Sequence, residues 1–483
     1  MLIGFNVGNF LSFSDIQQFS MVSSASDDKL NHVVQCAGIN VLRGSFIYGS
    51  NAAGKSNLVK SFIYSRDIIL GCGQEGSRRA PRSHRNQDSY SNSPSYFEYI
   101  ISIGSQIFSY GIEVDSASGF IVSEWLYQNI EGHEDLLYTI DRNEGGISKI
   151  VFPSLEEIFN NFIVSEHNVS FLSYISEKKL PDTKEMMEVH TWFCCSLVTL
   201  SSEVYDLPLV INDVFIDRLV FYLKHLDTGI VGYTRKRVPF IQKKYKFVNQ
   251  DVSSNQNPYV MFNESLSLDK TVKKRIYIPD DYSEFNSNII DVLFKFANHG
   301  KRCILYSNND MFEFYREDAN VVCDEISFLH GRNSFQLSFS DESQGTRRLI
   351  HMLSMFEMSY VISSDQFFDI DSDRTLVIDE LECSIHTLAT LELVRIFYNR
   401  PGSQLSQLIA TTHESRLLNQ EMVRRDEVWF VDSSVIGDDR SSSLYSLESF
   451  DDPEEKYLDV AYLEGKYGAI PFIKSFNCPE DDY

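Results

Sequence analysis

A glycine-containing stretch near the N-terminus has the residue types that bind a phosphate chain. Residues 49–56 read GSNAAGKS and match the spacing GxxxxGK[ST], after an apolar run and before a helical pattern. Glycines let main-chain N–H groups turn toward an anion, the lysine reaches the β and γ phosphates, and the hydroxyl ligates Mg²⁺. We predict a site for ATP and Mg²⁺, with Ser56 on the metal, Lys55 also catalytic, and nucleotide contacts from Gly49, Ser50, Asn51, Ala52, Ala53, Gly54, Lys55, Ser56 and Asn57.

Two adjacent carboxylates end an apolar strand far along the chain. The segment TLVIDE, residues 375–380, places Asp379 and Glu380 at the strand end, where they are costly unless a cation or a reacting water lies beside them. We expect Asp379 to hold the Mg²⁺ shell and Glu380 to polarise the attacking water. Taken alone, the pair also fits an N-cap followed by a first-turn carboxylate. The phosphate loop favours the catalytic interpretation.

Two other segments offer groups to a phosphate. His413 closes the apolar strand QLIATTH, where a neutral imidazole could bond the γ-phosphate or the catalytic water, or be purely structural. Ser343 and Gly345 lie where a helix begins, near Gln344, and form either a second anion site or an ordinary N-cap. A chain with one phosphate loop has no obvious use for a second anion site in cis, so we expect it to serve the nucleotide of a neighbouring copy.

The elements around these residues predict an α/β fold. Strand–loop–helix order at the phosphate loop, and strands that alternate with helices after residue 340, indicate a mostly parallel sheet covered by helices. Residues 2–13 alternate apolar and polar as in a strand, and residues 96–129 are predicted to form antiparallel strands. The Ser-rich stretches 89–95 and 441–443 are predicted loops. The expected later elements are helices at 58–70, 344–361 and 387–398 and strands at 44–48, 375–378, 407–411 and 428–432.

The middle of the chain has a different pattern. Helical periods at 154–164, 215–226 and 287–300, with polar breaks between them, predict an inserted helical lobe. We expect three parts: residues 1–152 with the phosphate loop, the lobe at 153–300, and residues 301–483 with the acidic strand. The two outer parts should fold together.

Composition and charge limit the classes of function. With 483 residues and 43% apolar residues the chain can bury a large core, and its net charge of −25 excludes a surface that lies broadly on nucleic acid or anionic membrane. Local nucleic-acid contact remains open at two basic stretches, which are otherwise solvated loops or ion-pair partners. Eight cysteines without a CxxC pair, and no long apolar run or signal peptide, predict a reducing, cytoplasmic location with no structural zinc and no membrane partner. The basic stretches are Arg78, Arg79, Arg82 and Arg85, and residues 235–246.

The order of these segments resembles the ABC-type ATPase head in its bipartite form, as in chromosome-organising and DNA-repair ATPases. More closely, the chain is similar to AAA/ABC hybrid ATPases of bacterial anti-phage defence, the overcoming-lysogenisation-defect-like (OLD-like) group, with relatives in Septu, PARIS, retron and abortive-infection systems. The resemblance is carried by FNVGNFLSFSD (5–15), GSNAAGKSN (49–57), ESQGTRRL (342–349), LVIDELECSIH (376–386), QLIATTH (407–413), RRDEVWFVD (424–432) and YLEGKYGAIPFI (462–473).

This resemblance implies an ABC-type head, a mixed sheet with flanking helices and an antiparallel β subdomain, formed from both chain ends. Two heads would sandwich two nucleotides, each bound by one copy's phosphate loop and closed by the other's Ser343 and Gly345. Residues 384–386 would lie at the dimer contact. The signature segment reads ESQGT where transporters have LSGGQ, which bears on the rate of hydrolysis, and Gln106 is our candidate for the glutamine of the Q-loop.

Some relatives carry a C-terminal TOPRIM nuclease. Only 70 residues follow His413, and the Asp-x-Asp run at 369–373 precedes the acidic strand, so we expect no nuclease here. The resemblance then implies an ATP-driven sensor and switch, triggered by a phage protein or nucleic acid, that controls a separate effector nuclease or toxin. The alternatives are a DNA-repair ATPase that acts directly on DNA and an ATP-dependent scaffold clamp with negligible turnover.

Overall fold

The computed structural model describes most of the chain. Outside the described residues lie Arg78 to Arg85, residues 239–246, the helical patterns at 154–164 and 287–300, and Asp371 and Asp373 of the acidic run. The described ranges are 1–24, 28–71, 93–130, 132–143, 146–151, 169–178, 183–200, 208–211, 215–238, 259–260, 276–277, 302–307, 310–318, 320–332, 334–357, 360–363, 366–369, 374–400, 405–436, 439–452 and 455–471.

Strands dominate the described residues. They are β1 (Leu2–Gly8), β2 (Gln17–Ser20), β3 (Val33–Cys36), β4 (Ile39–Leu42), β5 (Gly44–Tyr48), β6 (Ser95–Ile103), β7 (Gln106–Val114), β8 (Ile121–Ile130), β9 (His133–Asn143), β10 (Gly146–Val151), β11 (Leu197–Leu200), β12 (Pro208–Ile211), β13 (Ile230–Val238), β14 (Tyr259–Val260), β15 (Ile276–Tyr277), β16 (Arg302–Ser307), β17 (Asp310–Glu317), β18 (Asn320–His330), β19 (Phe335–Ser338), β20 (Tyr360–Ser363), β21 (Gln366–Asp369), β22 (Thr375–Ile378), β23 (Gln407–Thr411), β24 (Val428–Ile436) and β25 (Asp439–Ser446).

The described α-helices are α1 (Lys55–Ile69), α2 (Phe171–Lys178), α3 (Lys184–Thr191), α4 (Phe215–His225), α5 (Gln344–Glu357), α6 (Thr387–Asn399) and α7 (Leu458–Leu463), and a π-helical turn covers Trp192–Ser196. Helix α5 is shorter than the expected helix at 344–361, because the chain turns into β20 after Glu357. The run YVIS contains two β-branched residues and a tyrosine, types that favour a strand over a last helical turn.

The α/β class is confirmed by a central six-stranded sheet of order β11-β22-β23-β5-β24-β25. All neighbours in it are parallel except β24 and β25. Alternate side chains along a strand pack into two hydrophobic cores, one on each face of the sheet. Phe46 and Tyr48 lie in one core and Ile47 in the other, all at 0% exposure. Since both faces are buried, these strands read as continuous apolar runs.

Two larger sheets flank the central one. Strands β10-β9-β8-β7-β6-β1-β2 form an antiparallel sheet, and β13-β18-β17-β16-β12-β20-β21, with β19 beside β18, form another. The first shares its core with α1, where Phe5 stacks on Phe62 with ring centroids 4.0 Å apart. The arrangement is compatible with an ATPase head, and its specific ABC form stays a prediction.

The expected helical lobe contains strands that belong to the rest of the fold. Strand β11 pairs in parallel with β22, so the acidic strand is bordered by residues from the middle of the chain. Strand β13 pairs with β18 of the C-terminal part. The pattern LVTL is too short to separate a strand from a helix by period alone. The three-part division of the chain stays a prediction.

A buried glutamine joins the first strand to the central sheet. Gln407 Oε1 accepts from Leu2 N at 2.7 Å and from Thr375 Oγ1 at 2.9 Å. Its Nε2 donates to the main-chain oxygens of Leu2 and Leu42 at 2.8 and 3.0 Å. One side chain therefore joins β1 to the start of β22 and β23.

Candidate nucleotide-binding site

The predicted phosphate loop occupies the turn between β5 and α1. Gly54 has φ +119° and Ala52 φ +62°, so the loop uses left-handed conformations that orient main-chain N–H groups inward. A Cβ at Gly49 would lie 2.4 Å from the main-chain oxygen of Val431 on β24. Glycine is therefore required at position 49, because the loop starts in contact with the neighbouring strand.

Serines from two other elements support the loop. Ser442 Oγ donates to the main-chain oxygen of Ala53, and Asn57 Nδ2 donates to Ser12 Oγ at 2.8 Å. A Cβ at Gly54 would lie 2.5 Å from Ser442 Oγ and 2.7 Å from Ser12 Oγ. The predicted loop at 441–443 is wrong: these serines lie within β25, whose alternate residues face the phosphate loop.

The side chain of Lys55, the first residue of α1, folds back over the start of the phosphate loop. Its Nζ donates to the main-chain oxygens of Gly49 and Ser50 at 2.9 and 3.0 Å. Burial lowers the pKa of Lys55 to about 8, while nearby carboxylates, Asp379 first, act in the opposite direction. The ammonium is thus held beside the loop where a phosphate chain would lie.

Ser56 and Asp379 come together although 323 residues separate them. Ser56 Oγ donates to Asp379 Oδ1 at 3.2 Å, and Thr411 Oγ1 donates to the same oxygen at 2.6 Å. The contact arises because β22, β23 and β5 are consecutive parallel strands that end at one edge of the sheet. One hydroxyl and one carboxylate, with phosphate and water oxygens as the other ligands, fit the way Mg²⁺ is bound in nucleotide sites.

The main chain of Glu380 is fixed from three directions. It has φ +51°, a sparsely populated conformation for a non-glycine residue. Its N–H donates to Thr411 Oγ1 at 2.8 Å, and its carbonyl accepts from Cys383 N at 2.9 Å and from Arg348 Nη2 at 3.3 Å. These bonds hold an unfavourable backbone conformation and thereby fix where the carboxylate of Glu380 projects.

Arg348 connects the acidic pair to the segment that follows Ser343. This arginine of α5 is 0% exposed, and its Nη2 donates to the main-chain oxygen of Asp379 at 2.9 Å. The same Nη2 also donates to the main-chain oxygen of Glu380 at 3.3 Å. A buried side chain therefore links the helix to the acidic strand end.

The Ser343–Gly345 segment begins α5 at an exposed position. Ser343 Oγ accepts from Thr346 N at 3.1 Å, as in a helix cap. A Cβ at Gly345 would lie 2.4 Å from the main-chain oxygen of Ser384, in the 384–386 segment. Segments 343–345 and 384–386, both predicted to contact a second copy, are therefore neighbours within one chain, and Ser343 and Ser384 are exposed to solvent.

His413 lies past the end of β23 and is exposed. Partial burial of the ring lowers its pKa, and the positive charge of Lys55 acts in the same direction, so the neutral imidazole is favoured. Its main-chain N–H donates to Glu382 Oε1 at 2.5 Å, and Thr412 Oγ1 donates to Glu382 Oε2 at 2.6 Å.

Gln106 is not at this site. The strand edge near the phosphate loop is marked by Ser95, whose Oγ donates to the main-chain oxygen of Asn9 at 2.6 Å. Gln106 pairs with Ile103 at the opposite end of β6, about 25 Å away at ~3.3 Å per residue. The prediction of Gln106 as the Q-loop glutamine is therefore wrong, because β6 and β7 form a hairpin whose turn lies at the end of β6 away from the phosphate loop.

Sequence reasoning missed four residues of the site: Thr411, Arg348, Glu382 and Ser442. Each acts through a neighbour in space that is distant along the chain, so spacing alone gives no signal for three of them. Glu382 was the exception, since it follows the acidic pair directly in the run DELE.

The C-terminal segment packs behind the phosphate loop. Tyr462 and Tyr467 stack on Phe430 of β24 with ring centroids 5.5 and 5.7 Å apart. The ring of Tyr462 also lies edge-on to Tyr48, which directly precedes the loop, with centroids 5.7 Å apart, and its hydroxyl donates to the main-chain oxygen of Ala469 at 3.2 Å. Burial raises the pKa of Tyr462 to about 12. This packing covers the start of the loop with aromatic side chains.

Residues 231–419 match the family described as "AAA domain, putative AbiEii toxin, Type IV TA system". The matched region contains Ser343, Asp379, Glu380 and His413 and begins after the phosphate loop. The match supports an AAA/ABC-like ATPase of abortive-infection-type systems. No curated protein matches the chain. In the described part of the chain, no helix has both the length and the apolar character needed to cross a membrane.

Proposed function

We propose that the chain binds and hydrolyses ATP as the sensor and switch subunit of an anti-phage defence complex. The observation that carries the ATPase part is the contact between Ser56 and Asp379, 3.2 Å apart, at the mouth of a loop with the phosphate-binding spacing. The defence setting is supported by the family match at 231–419.

In this proposal Ser56 and Asp379 hold Mg²⁺, Lys55 and the loop N–H groups hold the phosphates, and Glu380 orients the attacking water. The bound cation would supply charge neutralisation on the phosphate oxygens. Glu380 can act as a base in a fixed position because its main chain is held by Thr411 and Arg348. His413, kept neutral, can accept or donate a hydrogen bond at the same edge of the sheet.

The proposed assembly is a head-to-head homodimer in which Ser343 and Gly345 close the nucleotide of the second copy. It is supported by the exposure of Ser343 and by the adjacency of Gly345 to Ser384. The ATP-driven change would then release or activate a separate effector nuclease or toxin, with a phage protein or nucleic acid as the trigger and the cytoplasm as the location.

A DNA-repair ATPase acting directly on DNA is less well supported. Arg235 and Arg237 of the basic stretch donate to Glu313 and Asp324, each at 2.6 Å. Both carboxylates are buried, at 1% and 3% exposure, so phosphate binding would break ion pairs that compensate buried charge.

The test is phosphate release by the purified chain with ATP and Mg²⁺, compared with Lys55→Ala. We expect Lys55→Ala to lose nucleotide binding and turnover. Equal ATP affinity in the two proteins would refute the assigned site. Co-purification from the native host, with no nuclease or toxin partner, would argue against the switch role and leave the ATPase assignment intact.

A further inference from the structure

Glu382 lies between the acidic strand end and the strand that carries His413. The preceding residue, Leu381, is 0% exposed and donates its N–H to the main-chain oxygen of Thr411 at 2.9 Å. This bond directs the chain after Glu380 across the end of β23. The side chain of Glu382 therefore reaches residues 412 and 413 of the adjacent strand end.

Both carboxylate oxygens of Glu382 are used there. Oε1 accepts the main-chain N–H of His413, and Oε2 accepts the hydroxyl of Thr412 at 2.6 Å. The Thr412 hydroxyl in turn accepts from Glu414 N at 3.0 Å. Charge-assisted hydrogen bonds of this kind are about twice as strong as neutral ones. Glu382 thus continues the pairing of β22 and β23 beyond the last ladder bond between the two strands.

The far side of the same turn is held independently. Glu414 Oε2 accepts from Thr387 Oγ1 at 2.5 Å, and Tyr48 Oη donates to the main-chain oxygen of Glu414 at 3.4 Å. Residues 412–414 are therefore clamped between α6, β5 and Glu382. On the side of the acidic pair, Glu382 supplies the side-chain hydrogen bonds to residues 412 and 413.

We infer that Glu382 is a positioning residue for the hydrolysis proposed above: it holds His413 in register with Asp379 and Glu380. The expected effect on the rate of ATP hydrolysis rests on the proposed function. The placement of His413 by Glu382 does not. The carboxylate bonds the main chain of His413 and leaves the imidazole available for a phosphate or water.

A charge effect is the competing explanation, since Glu382 also opposes the lowering of the pKa of Lys55 and of His413. Glu382→Gln separates the two explanations. Its amide oxygen can still accept from His413 N–H and its NH₂ can donate to Thr412 Oγ, so the geometry is retained while the charge is lost. Glu382→Ala loses both.

The experiment compares Glu382→Gln, Glu382→Ala, His413→Ala and the double variant Glu382→Ala/His413→Ala. Glu421→Ala is the exposed acidic control after the same strand. We expect Glu382→Ala to lower kcat about tenfold or more with KM nearly unchanged, and Glu382→Gln to keep most of the rate. The double variant should be no slower than His413→Ala alone. Equal losses in Gln and Ala, or additive losses with His413→Ala, would overturn the inference.

Amide hydrogen exchange of residues 412–414 gives a readout that needs no turnover. In Glu382→Ala the amides of these residues should exchange faster than in the wild type, whereas in Glu382→Gln and Glu421→Ala they should exchange at the wild-type rate. Exchange in β22 should be unchanged in all three variants. Unchanged exchange in Glu382→Ala would overturn the positioning role. A wild-type chain without ATPase activity but with this exchange pattern would refute the proposed function and leave the positioning of His413 standing.

Discussion

Arg348 Nη2 lies 2.9 Å from the main-chain oxygen of Asp379, so the helix after Ser343 is hydrogen-bonded to the acidic end of β22. In the proposed dimer, Ser343 contacts the nucleotide of one site and Asp379 the metal of the other. We expect closure at one site to be transmitted to the acidic pair of the second through the buried side chain of Arg348 and through the contact between Gly345 and Ser384.

Arg348→Ala should destabilise the fold and reduce turnover. It leaves a cavity and two carbonyl groups without their donor, for an expected loss of about 2–4 kcal/mol in unfolding free energy. Denaturant unfolding and phosphate release measure the two effects. Arg395→Ala, which removes a side chain 54% exposed on α6, is the control and should cost less than about 0.5 kcal/mol. A stable, fully active Arg348→Ala would contradict the coupling.

Glu380→Gln should keep ATP binding and stop hydrolysis, because the amide occupies the same space and cannot take a proton from water. Fluorescent ATP-analogue titration and phosphate release separate the two properties, and light scattering should show ATP-dependent dimers that persist. Asp379→Ala should instead weaken the Mg²⁺-dependent part of binding. Normal turnover in Glu380→Gln would remove Glu380 from the catalytic role.

Gly345→Ala should impair dimer closure and turnover while each chain still binds ATP. The added Cβ would lie 2.4 Å from the main-chain oxygen of Ser384, so one of the two predicted contact segments must shift. Gly232→Ala is the control: its nearest neighbour would be Leu329 Cδ1 at 3.5 Å, an ordinary contact. ATP-dependent light scattering and kcat of the two variants test this. Identical behaviour would show that the close approach is not needed for assembly.

Stability should fall between pH 7.5 and pH 5.5. Burial lowers the pKa of His190 to about 4 and of His351 to about 3. Below about pH 6.5 the unfolded chain binds protons that the folded chain does not, so stability present above that pH is lost as the pH decreases. Each histidine should contribute about 1 kcal/mol over this interval.

Denaturant midpoints at the two pH values, in wild type and His351→Gln, measure that dependence. The variant should lose part of the slope, whereas His133→Gln, at an exposed position, should keep all of it. A wild type whose stability is the same at both pH values would exclude neutral buried histidines.

Sequence pattern predicted the elements that carry the site with high accuracy. Strands 375–378 and 407–411 have their expected bounds, because apolar runs bounded by polar residues define buried parallel strands. The helix expected from residue 58 begins at Lys55, because the last two residues of the phosphate loop, Lys55 and Ser56, also form the start of the helix.

The remaining features depend on contacts that a pattern does not encode. Residues 197–200 form strand β11 because they pair with β22. Ser441–Ser443 form a strand despite the low strand preference of serine, because Ser442 packs on the phosphate loop. Thr411 and Arg348 support Asp379 and Glu380 from other elements. Their roles become visible only once the strand order is known.

The order of strands in the central sheet also sets when the chain can acquire its site during synthesis. Strand β5 and the phosphate loop emerge early, but their neighbours β23 and β24 are made only after residue 400. At roughly 5–20 residues per second, this delay is on the order of tens of seconds. While the chain is still being made, the phosphate loop therefore has none of its neighbouring strands, and we expect no nucleotide site to form before residues 407–436 have been synthesised.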